Sequence, residues 1–313
     1  MLLNEILDIK YPVILAPMFL VTNIEMVKSA IDAGATGALV AHNYRTPDEL
    51  RKDIQILKKE NKRPFGVNIT LDFANEMNKE NLEVCIEERV DFLITSLGDP
   101  GDVIKRCKPK EIKVFCDVVN EKHAAKVAGR GADAIIAVNN RAGGHAGALE
   151  KGEIIPLLTQ KFEIPIISAG GVVTNQQFKE VMELGAAGVS VGSAFIATKE
   201  SKVPIEYKDA VIQGSEDDVI LTPRISGIPS TVINTAYIKS LGKSMSWMEK
   251  RLKKRKKTKR LVQKALNRTG LSKYQHKIVG PDYTKVYSAG PSISDVHEET
   301  TVRAVIERIV GVS

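Results

Sequence analysis

The chain of 313 residues is 43% apolar with a formal net charge of +7, ordinary values for a globular protein with one large α/β domain or two smaller ones. Nine basic residues fall within residues 250–260, leaving 36 basic against 38 acidic residues elsewhere, so the charge excess is one local segment on a near-neutral body. The acidic opening MLLNEILDIKYP lacks the features of a secretory signal, and no run approaches about 18 uninterrupted apolar residues, which predicts a protein neither exported nor membrane-spanning.

From Pro12 onward the chain repeats one theme: a short apolar, β-branched run, a turn, then a segment with helical spacing. The runs are PVILAPM from Pro12, GALVA from Gly37, PFGVNI from Pro64, FLITS from Phe92, KVFCDV from Lys113, AIIAVN from Ala134, PIISAG from Pro165 and GVSVGSAF from Gly188. Between them, TNIEMVKSAIDAG predicts a helix starting on Thr22 or Asn23 and stopping at Gly34. TPDELRKDIQILKKEN has Thr46 as cap and Pro47 at the first helical position. Eight strand–helix units predict an α/β fold of the (β/α)8 TIM-barrel type. An open doubly wound sheet usually has a Gly-rich turn after its first strand, and here APMF stands there. The odd number and wide spacing of Cys85, Cys107 and Cys116 read as reduced structural thiols of a cytoplasmic protein, with no metal site expected.

The barrel is assigned to residues 1–198, completed by 299–313, with HEETTVRAVIERIV as its delayed eighth helix. Residues 199–298 then form an inserted, mainly helical segment after strand eight, near the active-site mouth. It contains a strand-like DDVILT, a turn SGIPS, a helix-like TVINTAYIKSL and the basic stretch 250–260. Around that stretch, Met248, Leu252, Val262 and Leu266 have helical spacing, but Arg255 and Lys259 interrupt the apolar stripe, which reads as a solvated helical excursion. No aromatic residues are interleaved for base stacking, which argues against nucleic acid as a partner.

In a barrel of this type the site lies at the C-terminal ends of the strands, and loops after strands seven and eight often hold a phosphate. SAGG and VGSAF occupy those two places. Gly170, Gly171 and Gly192 could aim backbone N–H groups at a phosphate, with Ser193 adding a hydroxyl; the alternative is that they only make tight turns. VNNRAGGHAGAL, residues 138–149, puts Gly143 and Gly144 before His145, and this is either a catalytic corner or a flexible loop.

Through APM at strand one, GVNI at three, GADAIIAVNNRAGGHAG at six, IISAGGV at seven and GAAGVSVGSAF at eight, the chain resembles the nitronate monooxygenase family, also called 2-nitropropane dioxygenases. That family is similar to the flavin-dependent enoyl-acyl carrier protein reductases. The match covers roughly residues 10–200, with weaker echoes in SGIPSTVIN and SAGPS. It implies a barrel binding FMN non-covalently. Ala16, Pro17 and Met18 would line the ring, Asn68 would hydrogen-bond its pyrimidine edge, and Gly143 and Gly144 would bring the backbone close. Gly170, Gly171, Gly192 and Ser193 would hold the phosphate, and His145 would face the substrate as a general base.

The activity so implied is oxidation of alkyl nitronates or nitroalkanes by dioxygen to a carbonyl compound and nitrite. The alternative is an NAD(P)H-dependent FMN reductase of an enoyl-acyl carrier protein or a quinone, with the basic stretch steering an acidic carrier protein. Partners are thus a small molecule and dioxygen, with acyl carrier protein in the alternative; a homo-oligomer is left open. Three residues depart from the family's pattern. Arg141 stands where many members have an acid, and either meets an anionic substrate or turns outward to a carboxylate of the next loop. Asp117 reads as a buried acid hydrogen-bonded to a loop. Pro291, in SAGPS, replaces a residue that is often polar.

Overall fold

The structure, a computed structural model, describes residues 1–60, 63–72, 75–225, 229–241 and 282–312. Eight strands, β1 (Val13–Leu15), β2 (Thr36–Val40), β3 (Gly66–Thr70), β4 (Phe92–Ser96), β5 (Lys113–Val118), β6 (Ala134–Val138), β7 (Ile166–Ala169) and β8 (Gly188–Val191), pair in parallel with their sequence neighbours. β8 returns to β1, closing the barrel. Each of the eight apolar runs holds one strand. The runs read as continuous rather than alternating because both strand faces are buried, one in the barrel and one under helices.

Inside the barrel, Ile14, Ala38, Phe92, Ile94, Phe115, Ile136 and Ile167 form one buried cluster, in which Phe92 and Phe115 stack at 5.0 Å. Leu3 and Leu7 of helix α1 (Leu3–Leu7) belong to the same cluster and stopper the N-terminal end. Two residues further along three adjacent strands, the inward positions turn polar: Asn68 on β3, Ser96 on β4 and Asp117 on β5. The barrel is therefore sealed by hydrocarbon at one end and ends in hydrogen-bonding groups at the other.

Around it lie α2 (Ile24–Asp32), α3 (Pro47–Glu60), α4 (Glu76–Glu87), α5 (Gly101–Cys107), α6 (Glu121–Gly129), α7 (Lys151–Lys161) and α8 (Asn175–Glu183). The ends follow the expected signals: Asn23 caps α2 by accepting from Met26 N, and Thr46 accepts from Glu49 N at the start of α3. After β8 come α9 (Ile205–Ile212), β9 (Val219–Thr222), β10 (Ser230–Ile233) and α10 (Ala236–Ser240), with β9 and β10 an antiparallel pair. The helix expected over TVINTAYIKSL starts later than its spacing suggests. Thr231, Val232 and Ile233 are β-branched and pair with β9, and Thr235 caps α10 instead. The basic stretch 250–260 and most of the turn SGIPS lie outside the described residues.

The last helix, α11 (Val302–Val310), packs between α8 and α2, the place of an eighth barrel helix. Val302, Val305, Ile306 and Ile309 are all buried, each worth about 1.5–3 kcal/mol relative to exposure.

Candidate active site

The turn after β1 is built by Thr22. Its hydroxyl donates to Ala16 O at 3.0 Å and accepts from Met18 N at 2.9 Å, which fixes Ala16, Pro17 and Met18 above the strand ends. Across the barrel, Asn68 donates from Nδ2 to Ile94 O and to Ser96 Oγ, both at 3.1 Å, and Ser96 donates to Asp117 Oδ2 at 2.6 Å. Burial raises the Asp117 carboxyl to about 6, with the Ser96 bond opposing the shift. Asp117 was expected to meet a loop; its partner is the end of the adjacent strand, because its position on β5 faces the barrel interior beside Ser96.

The loops after β6 and β7 are organised by Asn139, which is fully buried. Its Nδ2 donates to Gly170 O at 2.9 Å and its Oδ1 accepts from Arg141 N at 2.9 Å. Gly170 has φ +107°, and a Cβ there would run into Asn139 Oδ1 and Ala142 N, so both its conformation and its surroundings require glycine. Next to it, Gly171 is buried, and its N–H meets no acceptor among the described residues; the same holds for the N–H groups of Gly192 and Ser193. Orphaned main-chain donors from two adjacent loops make a fitting place for an anion such as a phosphate. A Cβ on Gly192 would touch Met18 Sδ at 3.3 Å, which puts this turn against the one after β1. The Ser193 hydroxyl accepts from Gly290 N at 2.9 Å, leaving its own proton for another partner.

His145 is exposed on the loop after β6, yet surrounded closely enough that lost hydration lowers its pKa from the ordinary imidazole value. This favours the neutral ring, the form able to accept a proton. Its loop is held by the segment that follows β8. Gly144 and Thr231 of β10 exchange two main-chain hydrogen bonds, Gly143 packs its backbone against Ala289 and Gly290, and Arg141 forms a bidentate ion pair with Glu216 at 2.9 and 2.8 Å. A Cβ on Gly143 would lie 3.0 Å from that backbone, so this glycine has a packing reason of its own, whereas Gly144 (φ +69°) borders open space. The chain around Ala289 is fixed in turn by Tyr207, which donates to Ser288 O at 2.7 Å and stacks on Tyr287 at 4.3 Å.

Of the alternatives open for Arg141, the structure thus places a carboxylate against it, from the insertion rather than from the next loop. Glu216 is held below the usual carboxylate range by that guanidinium. Pro291 opens a 3-10 turn, Pro291–Asp295, and the contact from that region to the β8 loop comes from Gly290 N. His42, which follows β2, stays exposed on the turn Ala41–Asn43. Sequence reading missed Asn139, Ser96, Thr231 and Glu216, and took Thr22 only for a helix cap. The signal was present for Asn139 alone, a polar residue directly after an apolar run at a strand's C-terminal end.

The fold is that of a (β/α)8-barrel enzyme, an architecture whose active sites lie at the carboxyl ends of the strands. The model of the nitronate monooxygenase family matches residues 1–311, and the chain belongs to that family of oxidoreductases, whose members are flavoproteins. It is 30% identical over 239 residues to the (3aS,4S,5R,7aS)-5-hydroxy-7a-methyl-1-oxo-octahydro-1H-indene-4-carboxyl-CoA dehydrogenase of Rhodococcus jostii, covering 76% of this chain and 67% of that protein. A probable nitronate monooxygenase of Staphylococcus saprophyticus is 27% identical over 278 residues, covering 74% of this chain and 78% of its own length. Among solved structures, FabK from Thermotoga maritima superposes with a TM-score of 0.79 at 26% identity, over 99% of this chain and 94% of that one. No helix among the described residues is long and apolar enough to cross a membrane.

Proposed function

We propose that the chain binds FMN at the barrel mouth and oxidises alkyl nitronates, and nitroalkanes after deprotonation, with dioxygen to a carbonyl compound and nitrite. The observation that carries this reading is the pairing of two features on neighbouring loops: orphaned N–H donors at Gly171, Gly192 and Ser193, and an imidazole biased to its neutral form at His145. When bound, FMN supplies the electron chemistry with substrate and dioxygen. The chain's own residues supply position and proton handling. Gly170 shapes the turn whose neighbours hold the phosphate, with the Ser193 hydroxyl beside them, and Ala16, Pro17, Met18, Asn68 and Gly144 border the ring. His145 takes the proton next to the nitro group of a neutral nitroalkane, an effect typically worth about 10²–10⁴-fold. The three free, buried cysteines fit a cytoplasmic protein.

A second reading, an NAD(P)H-dependent reductase of a thioester or quinone, is favoured by the similarity to FabK and to the CoA-ester dehydrogenase. One experiment separates the two. The purified yellow protein is titrated anaerobically with a nitronate and, separately, with NADPH. Bleaching by the nitronate, with nitrite released on admitting oxygen, is the expected result. Rapid bleaching by NADPH alone would transfer the assignment to the reductase, and a protein carrying no flavin would refute both.

A further inference from the structure

Three side chains on consecutive strands form a directed hydrogen-bond chain beneath the mouth, running from Asn68 on β3 through Ser96 on β4 to Asp117 on β5. Its direction follows from proton counting. An ionised carboxylate can only accept, and a hydroxyl has one proton to give. With its carboxyl raised by burial to about 6, Asp117 is ionised at pH 8, so the Ser96 proton is committed to Oδ2 at 2.6 Å. Ser96 therefore turns a lone pair toward Asn68, and that lone pair accepts one Nδ2 hydrogen at 3.1 Å. The other Nδ2 hydrogen goes to Ile94 O, also at 3.1 Å. With both hydrogens used within the barrel, the amide has only its carbonyl oxygen, Oδ1, to offer to a molecule in the mouth.

We propose that Ser96 and Asp117 are positioning residues that set Asn68 as a hydrogen-bond acceptor, so that the mouth selects a flat heterocycle with an N–H donor at its edge. The proposal rests on the flavin reading, because the pyrimidine edge of FMN carries such a donor at N3. Neither residue needs to touch the cofactor. Their effect passes through the orientation of one amide, which Ile94 O alone holds less firmly once the hydroxyl is gone.

The test uses the full chain stripped of flavin, titrated at pH 8 with FMN and with N3-methyl-FMN, in which a methyl group replaces the donor hydrogen. The wild-type protein should prefer FMN by about tenfold or more. Ser96→Ala and Asp117→Leu should reduce that preference to under about threefold, mainly by weakening FMN, while Ser96→Thr, which keeps the hydroxyl, should retain it. Variants that weaken both flavins in parallel and leave the ratio unchanged would show a merely structural role and overturn the proposal. If circular dichroism shows that Asp117→Leu does not fold, the Ser96→Ala and Ser96→Thr pair decides. Equal binding of both flavins by the wild type would overturn the acceptor assignment while leaving the flavin reading intact; binding of neither would remove that reading and the proposal with it.

Discussion

Gly144 and Thr231 are joined by two main-chain hydrogen bonds, Gly144 N to Thr231 O at 3.0 Å and Thr231 N to Gly144 O at 2.7 Å, across 87 residues of sequence. The residue next to Gly144 is His145, so the imidazole's loop takes its shape from a hairpin that is no part of the repeated barrel units. Thr231→Pro removes the shorter of the two bonds without taking a donor from the β9 ladder, because the Thr231 N–H points at Gly144. Turnover of nitroalkanes should fall about tenfold through misplacement of the ring, with flavin content unchanged. Unaltered turnover would show that the loop keeps its shape without the hairpin.

Flavin retention should depend on the turn after β8. Gly192 lies against Met18, and its N–H is one of the orphaned donors. The branched side chain of Gly192→Val would crowd the Met18 sulfur and Ala16, displacing the turn that carries the donors. The variant should fold, by circular dichroism, yet purify largely colourless. A full complement of FMN in that variant would refute the phosphate assignment.

How much of this was legible in the sequence divides along a physical line. Strands and helix caps are local: a β-branched run such as AIIAV, or Asn23 ahead of an amphipathic stretch, carries its own instruction. The placement of His145 and the late glycines at strand ends is nearly as local, since the βα repeat supplies the geometry. What stayed hidden depends on contacts between distant segments. Nothing near Arg141 announces Glu216, 75 residues away, and nothing near Gly143 announces that its missing Cβ makes room for Ala289. Asp117 is an intermediate case. Its place on β5 could be read, but its partner Ser96 follows from the register of β4 against β5, which only the folded barrel defines.

The pH dependence follows from the imidazole. Partial loss of hydration lowers His145 below its ordinary value of 6.5, and a general base works only when unprotonated. Nitroalkane turnover should therefore be level through neutral pH and fall on the acid side, with an apparent pKa below 6.5. Asp117 titrates nearby, at about 6, so the profile must be measured with saturating flavin and repeated in Asp117→Asn. The acid limb should survive that change; its disappearance would assign the limb to Asp117.

The sharpest test separates proton removal from electron transfer. A neutral nitroalkane needs a base, whereas a preformed nitronate has already lost that proton and needs only flavin, dioxygen and a place to bind. His145→Ala should keep its FMN, because the orphaned N–H groups that fit a phosphate belong to the loops after β7 and β8, not to the imidazole's loop. It should lose at least about 10²-fold in kcat/KM on nitroalkanes, the usual range for removing a general base, and clearly less on nitronates. Equal losses on both substrates would mean that the imidazole binds the nitro group rather than taking a proton. Full activity on both would leave the loop that Gly144 and Thr231 fasten with a structural purpose alone.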